Sequence, residues 1–356
     1  MMFLFHRSYR VDVVCVLMLL LFSHCGKKNT GTPPPVTQPP VSKTFTNPLI
    51  TGADPWVAQK DSFYYYLHTL GNRIAIWKTK SMTKLSSASV TTVFSPPAGA
   101  QNASNVWAPE LHFLDGKWYI YYTAGSGPDA TQRTWVLENS NADPTTGTWI
   151  DKGRIFSSDA DFWAIDGSIL EHNSNRYFMW SGRPNLSFQN QNIYIAKMAN
   201  PWTLETPTVM LTRPELSWEL NGGPVNEGPQ MLKNKNGKLF IVYSASGCWT
   251  DDYALGMLTL KDAGNPLVAA DWIKNQQPVF SKSIANKAFG PGHNSFFISP
   301  DGKENWIIYH ANSNSGDGCS EKRNVRMQSF TWSAEGVPQF GVPVTPGLAV
   351  NSPSGE

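Results

Sequence analysis

One pattern recurs five times along the chain: a short run dense in aromatic residues that ends in small or polar residues. The runs are FYYYLHT (63–69), WYIYYTA (118–124), RYFMWSG (176–182), LFIVYSA (239–245) and WIIYHA (306–311). Equivalent residues of successive runs lie 55, 58, 63 and 66 positions apart. Turn-forming residues precede each run, and no helical periodicity separates them. Near-regular repeats of this length, built from strands alone, predict an all-β fold, a five-bladed β-propeller.

An ionisable residue stands 12 to 16 positions before the aligned residue of every run. The five are Asp54, Glu110, Asp166, Glu227 and His293. In a propeller the innermost strand of each blade lines the central axis, so residues at matched positions converge on one pocket. The alternative is that the acids are turn formers, since Asp-Pro and Asp-Gly are common turn dipeptides. Their occurrence in all five repeats favours a functional site.

These residues lie in five short motifs, which are GADPW (52–56), WAPE (107–110), AIDGS (164–168), NEGP (226–229) and GPGHN (290–294). In this order they resemble the motifs of glycoside hydrolase family 43, and the chain is similar to its arabinan-active exo-α-L-arabinofuranosidase branch over about residues 47–346. The resemblance implies that Asp54 is the general base and Glu227 the general acid. It implies that Asp166 orients the acid and holds its pKa.

The same resemblance implies further site residues. Trp107 would be a sugar platform, His293 would lie in the axial channel, and Arg326 would bind substrate. Arg323 is the rival of Arg326, because the spacing of the two arginines makes the match ambiguous. The resemblance also implies that His293 contacts a structural cation, often calcium in this family, mostly through waters, and no organic cofactor is expected.

Cleavage of a glycosidic bond with inversion requires one protonated and one ionised carboxyl group on opposite sides of the bond. An ionised Asp166 near Glu227 would raise the pKa of the acid. We therefore expect an inverting enzyme that releases terminal α-L-arabinofuranosyl residues from arabinan or arabino-oligosaccharides. A β-xylosidase or an endo-arabinanase would share the three carboxylates. A non-catalytic surface glycan-binding lipoprotein is the alternative of another class, but it would have no need of an acid–base pair.

Composition agrees with a sugar-active protein. With 29 Lys and Arg against 27 Asp and Glu, and no basic cluster, the chain does not resemble a nucleic-acid-binding protein. Aromatic residues make up 12% of the chain, and sugars present apolar CH faces that stack on aromatic rings. Most of these aromatics are expected in the blade core. Trp249 follows the fourth aromatic run and is either a rim platform or part of the packing between blades.

The N-terminus carries an export signal. An apolar run at 13–22 is followed by Cys25, which resembles a lipoprotein-type signal peptide over residues 1–25; an ordinary signal peptide is the alternative. Residues 26–44 form a Pro/Thr-rich linker, and residues 45–356 the propeller. We therefore expect export and anchorage in the bacterial cell envelope through lipidated Cys25, in the periplasm or at the cell surface. The lipid would be the one contact with the membrane, and the oligomeric state stays open.

Two cysteines remain in the propeller, Cys248 and Cys319. In an oxidising compartment they could form a disulfide. Two free buried thiols are the alternative, and the sequence does not decide between them.

Overall fold

The computed structural model describes residues 43–187 and 190–356. The expected signal peptide, Cys25 and nearly all of the linker therefore lie outside the described residues. Within the described part, the strands form five antiparallel sheets of four or five strands and one sheet of two strands. This arrangement confirms the predicted five-bladed β-propeller.

The strands follow one another in blade order, after two short strands, β1 (Thr44–Thr46) and β2 (Ile50–Thr51). Blade 1 contains β3 (Trp56–Lys60), β4 (Phe63–Leu67), β5 (Ile74–Thr79) and β6 (Ser89–Phe94). Blade 2 contains β7 (Ser104–Leu114), β8 (Lys117–Gly125), β9 (Arg133–Asn139) and β10 (Ile150–Arg154). Blade 3 contains β11 (Trp163–His172), β12 (Asn175–Arg183), β13 (Asn192–Asn200), β14 (Thr203–Leu204) and β15 (Val209–Thr212).

The last two blades complete the ring. Blade 4 contains β16 (Asn226–Lys233), β17 (Leu239–Ala245), β18 (Ala254–Leu260) and β19 (Trp272–Lys274). Blade 5 contains β20 (Phe289–Ile298), β21 (Asn305–Asn312), β22 (Asn324–Trp332) and β23 (Pro338–Gln339), and β24 (Ala349–Asn351) follows it. Short 3₁₀ helices lie in the connections, at Met82–Ser87, Asp129–Thr131, Ser217–Glu219 and Ala269–Asp271.

The first strands of the blades surround the axis. Strand β3 contacts β7, β7 contacts β11, β11 contacts β16, β16 contacts β20, and β20 contacts β3 again. Strand β2, from the N-terminal end of the described chain, pairs with β22 as the outer strand of blade 5, and β1 pairs with β24. Strands from both ends of the described propeller thereby close the ring.

The aromatic runs are the second strands of the blades, and their side chains fill the spaces between neighbouring blades. In β4, Tyr64 and Tyr66 pack against blade 5, whereas Tyr65 and Leu67 pack against blade 2. Since both faces of such a strand are covered, its sequence is apolar without alternation. Burial of each large apolar side chain contributes about 1.5–3 kcal/mol, so this packing is the main source of stability.

Within residues 43–187 and 190–356, no helix has the length and apolar character needed to cross a membrane.

Candidate active site

Four of the five ionisable residues found in the repeats line one cavity of about 860 Å3 at the axis. Asp54 comes from blade 1, Asp166 from blade 3, Glu227 from blade 4 and His293 from blade 5. In a ring of five, blade 1 does not adjoin blade 3 or blade 4. Asp54 therefore faces Asp166 and Glu227 across the axis. The repeat argument predicts that these residues share one pocket, and the structure places them in one cavity.

The backbone turns sharply where these side chains enter the cavity. Asp54, Asp166 and His293 have φ angles of 58°, 56° and 46°, and Gly228, next to Glu227, has 55°. The pairing of the first and second strands shifts register at the same points in blades 3, 4 and 5. Bulges of this kind re-aim side chains beside active sites, and a left-handed non-glycine residue costs on the order of 1 kcal/mol. The fold holds these residues in unfavourable conformations that point them at the axis.

Asp54 is surrounded by donors and positive charge. Its Oδ2 accepts a hydrogen bond from the Thr69 hydroxyl at 2.6 Å, and its Oδ1 lies 3.3 Å from His293 Nδ1 and 3.6 Å from Arg323 Nη1. Burial alone would raise the pKa of Asp54, but His293, Arg323 and the Thr69 hydrogen bond together hold that pKa below its ordinary value. Asp54 is therefore ionised near neutral pH and can act as a base.

His310 contacts the backbone of Asp54 as an uncharged ring. Its Nδ1 accepts the backbone N–H of Asp54 at 3.1 Å, so that nitrogen carries no proton. Burial lowers the pKa of His310 well below the ordinary value for histidine. The neutral ring thus fixes the Asp54 backbone.

Asp166 and Glu227 form a close acidic pair. One oxygen of each, together with a ring nitrogen of His293, lies within 4.8 Å of the others. Burial raises the pKa of both carboxyl groups, that of Asp166 to about 8, although His293 opposes the rise. The pair therefore retains a proton near neutral pH, which is the property required of a general acid.

The structure does not single out Asp166 as the ionised member of this pair. The sequence argument treats Asp166 as an anion, but burial raises its pKa as well as that of Glu227. Asp166 Oδ2 accepts the Gly228 N–H at 3.0 Å, and Glu227 Oε1 accepts the Tyr253 hydroxyl at 2.8 Å. These bonds hold one oxygen of each carboxyl group in place.

His293 lies between the two sides of the cavity. Burial lowers its pKa, but Asp54, Asp166, Glu227 and Glu110 outweigh burial and raise that pKa above its ordinary value. Calcium prefers six to eight oxygen ligands, whereas the ring of His293 offers only nitrogen. The residues around His293 therefore do not fit a calcium ion bound directly by its ring. A cation reached through water stays a prediction.

Arg326 does not reach the cavity, which corrects the sequence expectation. It lies inside β22, fully buried, and its guanidinium donates to Asn324 Oδ1 and to the carbonyl oxygens of Lys287 and Asn312. Arg323 precedes β22 at the cavity wall, and its side chain contacts Asp54. The rival arginine is thus the one at the site, because the residue before the strand faces the axis and the residue within it faces the blade.

Glu110 also lies away from the cavity. Its carboxylate accepts a hydrogen bond from Gln230 and lies 3.1 Å from His112 Nε2, all in the buried interior. In blade 2 it is the half-buried Trp107, three residues earlier, that lines the cavity. The convergence of the repeats therefore holds for four ionisable residues and not for the fifth.

Several cavity residues were not found from the sequence. Trp163 stands three residues before Asp166, as Trp107 stands before Glu110, and this shared spacing could have revealed it. Its ring is covered by the Arg183 guanidinium at 4.0 Å. Thr69 follows β4 and Tyr253 precedes β18, and both donate hydrogen bonds to the carboxylates. They carry no signal in the sequence because they lie far along the chain from the residues that they contact.

A disulfide joins two loops of the cavity wall. Cys248 and Cys319 are bonded, with their Cα atoms 5.4 Å apart, so the alternative of free thiols is wrong. Cys248 follows β17 of blade 4, and Cys319 follows β21 of blade 5. Trp249 is 55% exposed at the same rim, which excludes the interpretation that it is packed between blades.

Comparison with known proteins agrees with this geometry. The model of the family described as glycosyl hydrolases family 43 matches residues 45–338. The chain belongs to this family. Membership identifies it as a glycosidase.

Relatives within family 43 are close. The chain is 41% identical to an extracellular exo-α-(1→5)-L-arabinofuranosidase of Streptomyces avermitilis, over 89% of this chain and 68% of that protein. It is 37% identical to a protein of the same description from Streptomyces chartreusis, over 79% and 87%. It spans 66% of a relative from Humicola insolens, an α-L-arabinofuranosidase 43, at 36% identity.

Solved structures show the same architecture. The α-L-arabinofuranosidase of Lactobacillus brevis superimposes with a TM-score of 0.80 at 36% identity, covering 85% of this chain and 98% of that one. An endo-arabinase from Bacteroides thetaiotaomicron has a TM-score of 0.63 at 19% identity, covering 82% and 99%, and shares the fold alone.

Proposed function

We propose that this family 43 glycosidase is an inverting, exo-acting α-L-arabinofuranosidase that releases terminal arabinose from arabinan or arabino-oligosaccharides. The observation that carries the acid–base chemistry is the opposite direction of the pKa shifts on the two sides of the cavity. The pKa of Asp54 is lowered, so Asp54 is ionised. The pKa values of Asp166 and Glu227 are raised, so the pair retains a proton. The arabinoside preference is supported by the names of the relatives, which are exo-acting arabinofuranosidases.

In the proposed reaction, Asp54 takes a proton from a water molecule. The water oxygen attacks the anomeric carbon as the bond from that carbon to the leaving oxygen breaks. Glu227 gives its proton to the leaving oxygen, and burial of the pair that it forms with Asp166 keeps a proton there near neutral pH. Asp54 ends protonated and Glu227 ionised, and exchange with solvent restores both. Arg323 and His293 hold Asp54 ionised, and Trp107 offers a ring to the sugar.

The test is a panel of defined arabino- and xylo-oligosaccharides with anomer-resolved detection of products by NMR. We expect single arabinose units of inverted configuration and no release of xylose. Cleavage of xylosides in preference to arabinofuranosides would replace the proposal with a β-xylosidase. Internal cleavage of linear arabinan would replace it with an endo-arabinanase, and a retained configuration would refute the acid–base assignment.

The alternative of a glycan-binding lipoprotein predicts binding without turnover. Opposed carboxyl groups with separated pKa values have no purpose in a binding protein, and this argues for the enzyme. Saturable binding of arabino-oligosaccharides with no product after long incubation would favour the binding protein instead.

A cation reached through water in the axial channel is part of the proposal. Dialysis against EDTA followed by addition of calcium tests it, with metal content measured alongside activity. We expect a lower melting temperature after chelation and recovery with calcium. An unchanged melting temperature in metal-free protein would refute the cation.

We also propose export, with a lipid anchor at Cys25. The disulfide of Cys248 and Cys319 supports an oxidising compartment, and two relatives are described as extracellular. Labelling with a palmitate analogue, comparing the full chain with Cys25→Ala, tests the anchor. Equal labelling of the two proteins would refute lipidation of Cys25.

A further inference from the structure

Three tryptophans line the cavity, and they differ in what covers their rings. Trp163 is buried, and Arg183 covers one face of its ring. Trp107 is half-buried on blade 2, away from the acid. Trp249 is 55% exposed, the most exposed tryptophan of the cavity. An exposed indole in a concave wall is available to a ligand.

Trp249 is fixed in place although it is exposed. Its Nε1 donates to the Gly222 carbonyl at 3.2 Å, and the ring lies against the backbone at Gly222, Gly223 and Gly247. A Cβ at Gly247 would collide with the indole. Three glycines therefore allow the ring to rest on bare backbone, while a side chain at any of them would displace it.

The segment before Trp249 is hydrogen-bonded to the segment before Glu227. The Ser246 N–H donates to the Val225 carbonyl at 3.2 Å, and the Gly247 N–H donates to the Asn221 carbonyl at 2.8 Å. Val225 lies two residues before Glu227 in the sequence. The residue that carries the indole and the acid therefore lie in one hydrogen-bonded part of blade 4.

The side of the cavity decides which sugar meets Trp249. The acid protonates the leaving oxygen, so the leaving sugar lies on the side of Glu227, and the water and Asp54 lie on the other. Trp249 belongs to blade 4, the blade of Glu227, and stands at its rim. A cavity of about 860 Å3 also exceeds what one pentose fills.

We propose that Trp249 is the stacking platform for the leaving-group sugar, so that it sets the preference for oligosaccharides over simple glycosides. This rests on the proposed acid–base assignment. The CH face of a furanose covers the exposed indole, and removal of that apolar surface from water supplies the binding energy. The residue touches substrate and takes no part in bond cleavage.

The test compares Trp249→Phe with Trp249→Leu. Both keep apolar bulk beside the disulfide, but only phenylalanine keeps a flat face. Rates are measured on methyl α-L-arabinofuranoside, which has no leaving sugar, and on a linear α-1,5-arabinotriose. For Trp249→Leu we expect kcat/KM on the trisaccharide to fall about tenfold, the equivalent of about 1.4 kcal/mol, with the methyl glycoside unchanged. Trp249→Phe should keep most of the activity on both.

Leu220→Ala is the matched control, because Leu220 is 44% exposed beside the same segment but does not line the cavity. It should change neither rate. If Trp249→Leu lowered kcat/KM equally on both substrates, or on neither, the proposal that Trp249 is the stacking platform would be overturned. If the enzyme cleaves only xylosides, the arabinose specificity fails, and the same comparison with methyl xyloside and xylotriose still decides the role of Trp249.

Discussion

The two sides of the cavity contain carboxyl groups that are buried to a similar degree and yet titrate in opposite directions. On the Asp54 side, two cationic side chains and a hydroxyl overcome burial and lower the pKa. On the side of Asp166 and Glu227, burial and the neighbouring carboxylates outweigh the opposing effect of His293 and, for Glu227, of Arg323 and the Tyr253 hydrogen bond, so both pKa values rise. Burial alone thus does not assign acid and base. Direct contact with positive groups does, because His293 Nδ1 and Arg323 Nη1 lie 3.3 Å and 3.6 Å from Asp54 Oδ1.

The largest effects are expected from removing the two proton-transfer groups, and the leaving group separates them. Glu227→Gln should lower turnover of arabinobiose by about 10³-fold, within the range for general acid catalysis. Its loss on 4-nitrophenyl α-L-arabinofuranoside should be much smaller, because nitrophenolate leaves without a proton. Asp54→Asn should lower turnover of both substrates by a similar factor, since the attacking water is the same.

Steady-state rates on the two substrates check this comparison. If the loss of turnover in Glu227→Gln and in Asp54→Asn depended on the leaving group to the same extent, the two sides of the cavity would not have separate acid and base roles.

A matched pair of arginine variants tests the Asp54 side of the cavity separately from the acid side. Arg323→Met should lower kcat/KM by about 10- to 100-fold with little change in melting temperature, because it removes a cation beside Asp54. Arg326→Met should instead lower the free energy of unfolding by about 2–4 kcal/mol, because it leaves buried carbonyl oxygens without donors.

Assays combined with thermal unfolding separate the two variants. Loss of activity in well-folded Arg326→Met at permissive temperature would show that the sequence-based choice was right.

This pair also shows where sequence reasoning reaches its limit. Five blades were predictable because the aromatic runs must be apolar on both faces. The convergence of Asp54, Asp166, Glu227 and His293 was predictable because inner strands share an axis. The bulges shift register by amounts that differ between blades, so counting residues misplaced Glu110 and could not choose between the arginines. Thr69 and Tyr253 were beyond reach because their contacts depend on how neighbouring strands pack.

The pH profile tests whether each side titrates by itself. The kcat/KM profile should be bell-shaped: activity falls at low pH as Asp54 gains its proton, and at high pH as the acid pair loses its proton. The Thr69 hydrogen bond lowers the pKa of Asp54, so Thr69→Val should move the acid limb to higher pH. The Tyr253 hydrogen bond lowers the pKa of Glu227, so Tyr253→Phe should move the alkaline limb to higher pH.

Each limb should shift by about half a unit to one unit while the other stays in place. If either variant moved both limbs equally, the two sides would form one coupled titration, and the division proposed here would fail.

The smallest effect on activity is expected from the disulfide, which links the two sides through the wall. Cys248 precedes Trp249 on the side of the acid, and the Cys319 carbonyl accepts a hydrogen bond from the Arg323 guanidinium at 3.5 Å. The bond closes a loop of 71 residues, so Cys248→Ser with Cys319→Ser should cost about 2–4 kcal/mol of folding free energy. Activity at low temperature should fall by less than about tenfold, and the acid limb should move slightly upward as Arg323 loosens. Denaturant unfolding and the pH profile measure both. A shift of the alkaline limb alone would instead mean that the disulfide organises the acid, and that Arg323 is held by Asp54 rather than by the wall.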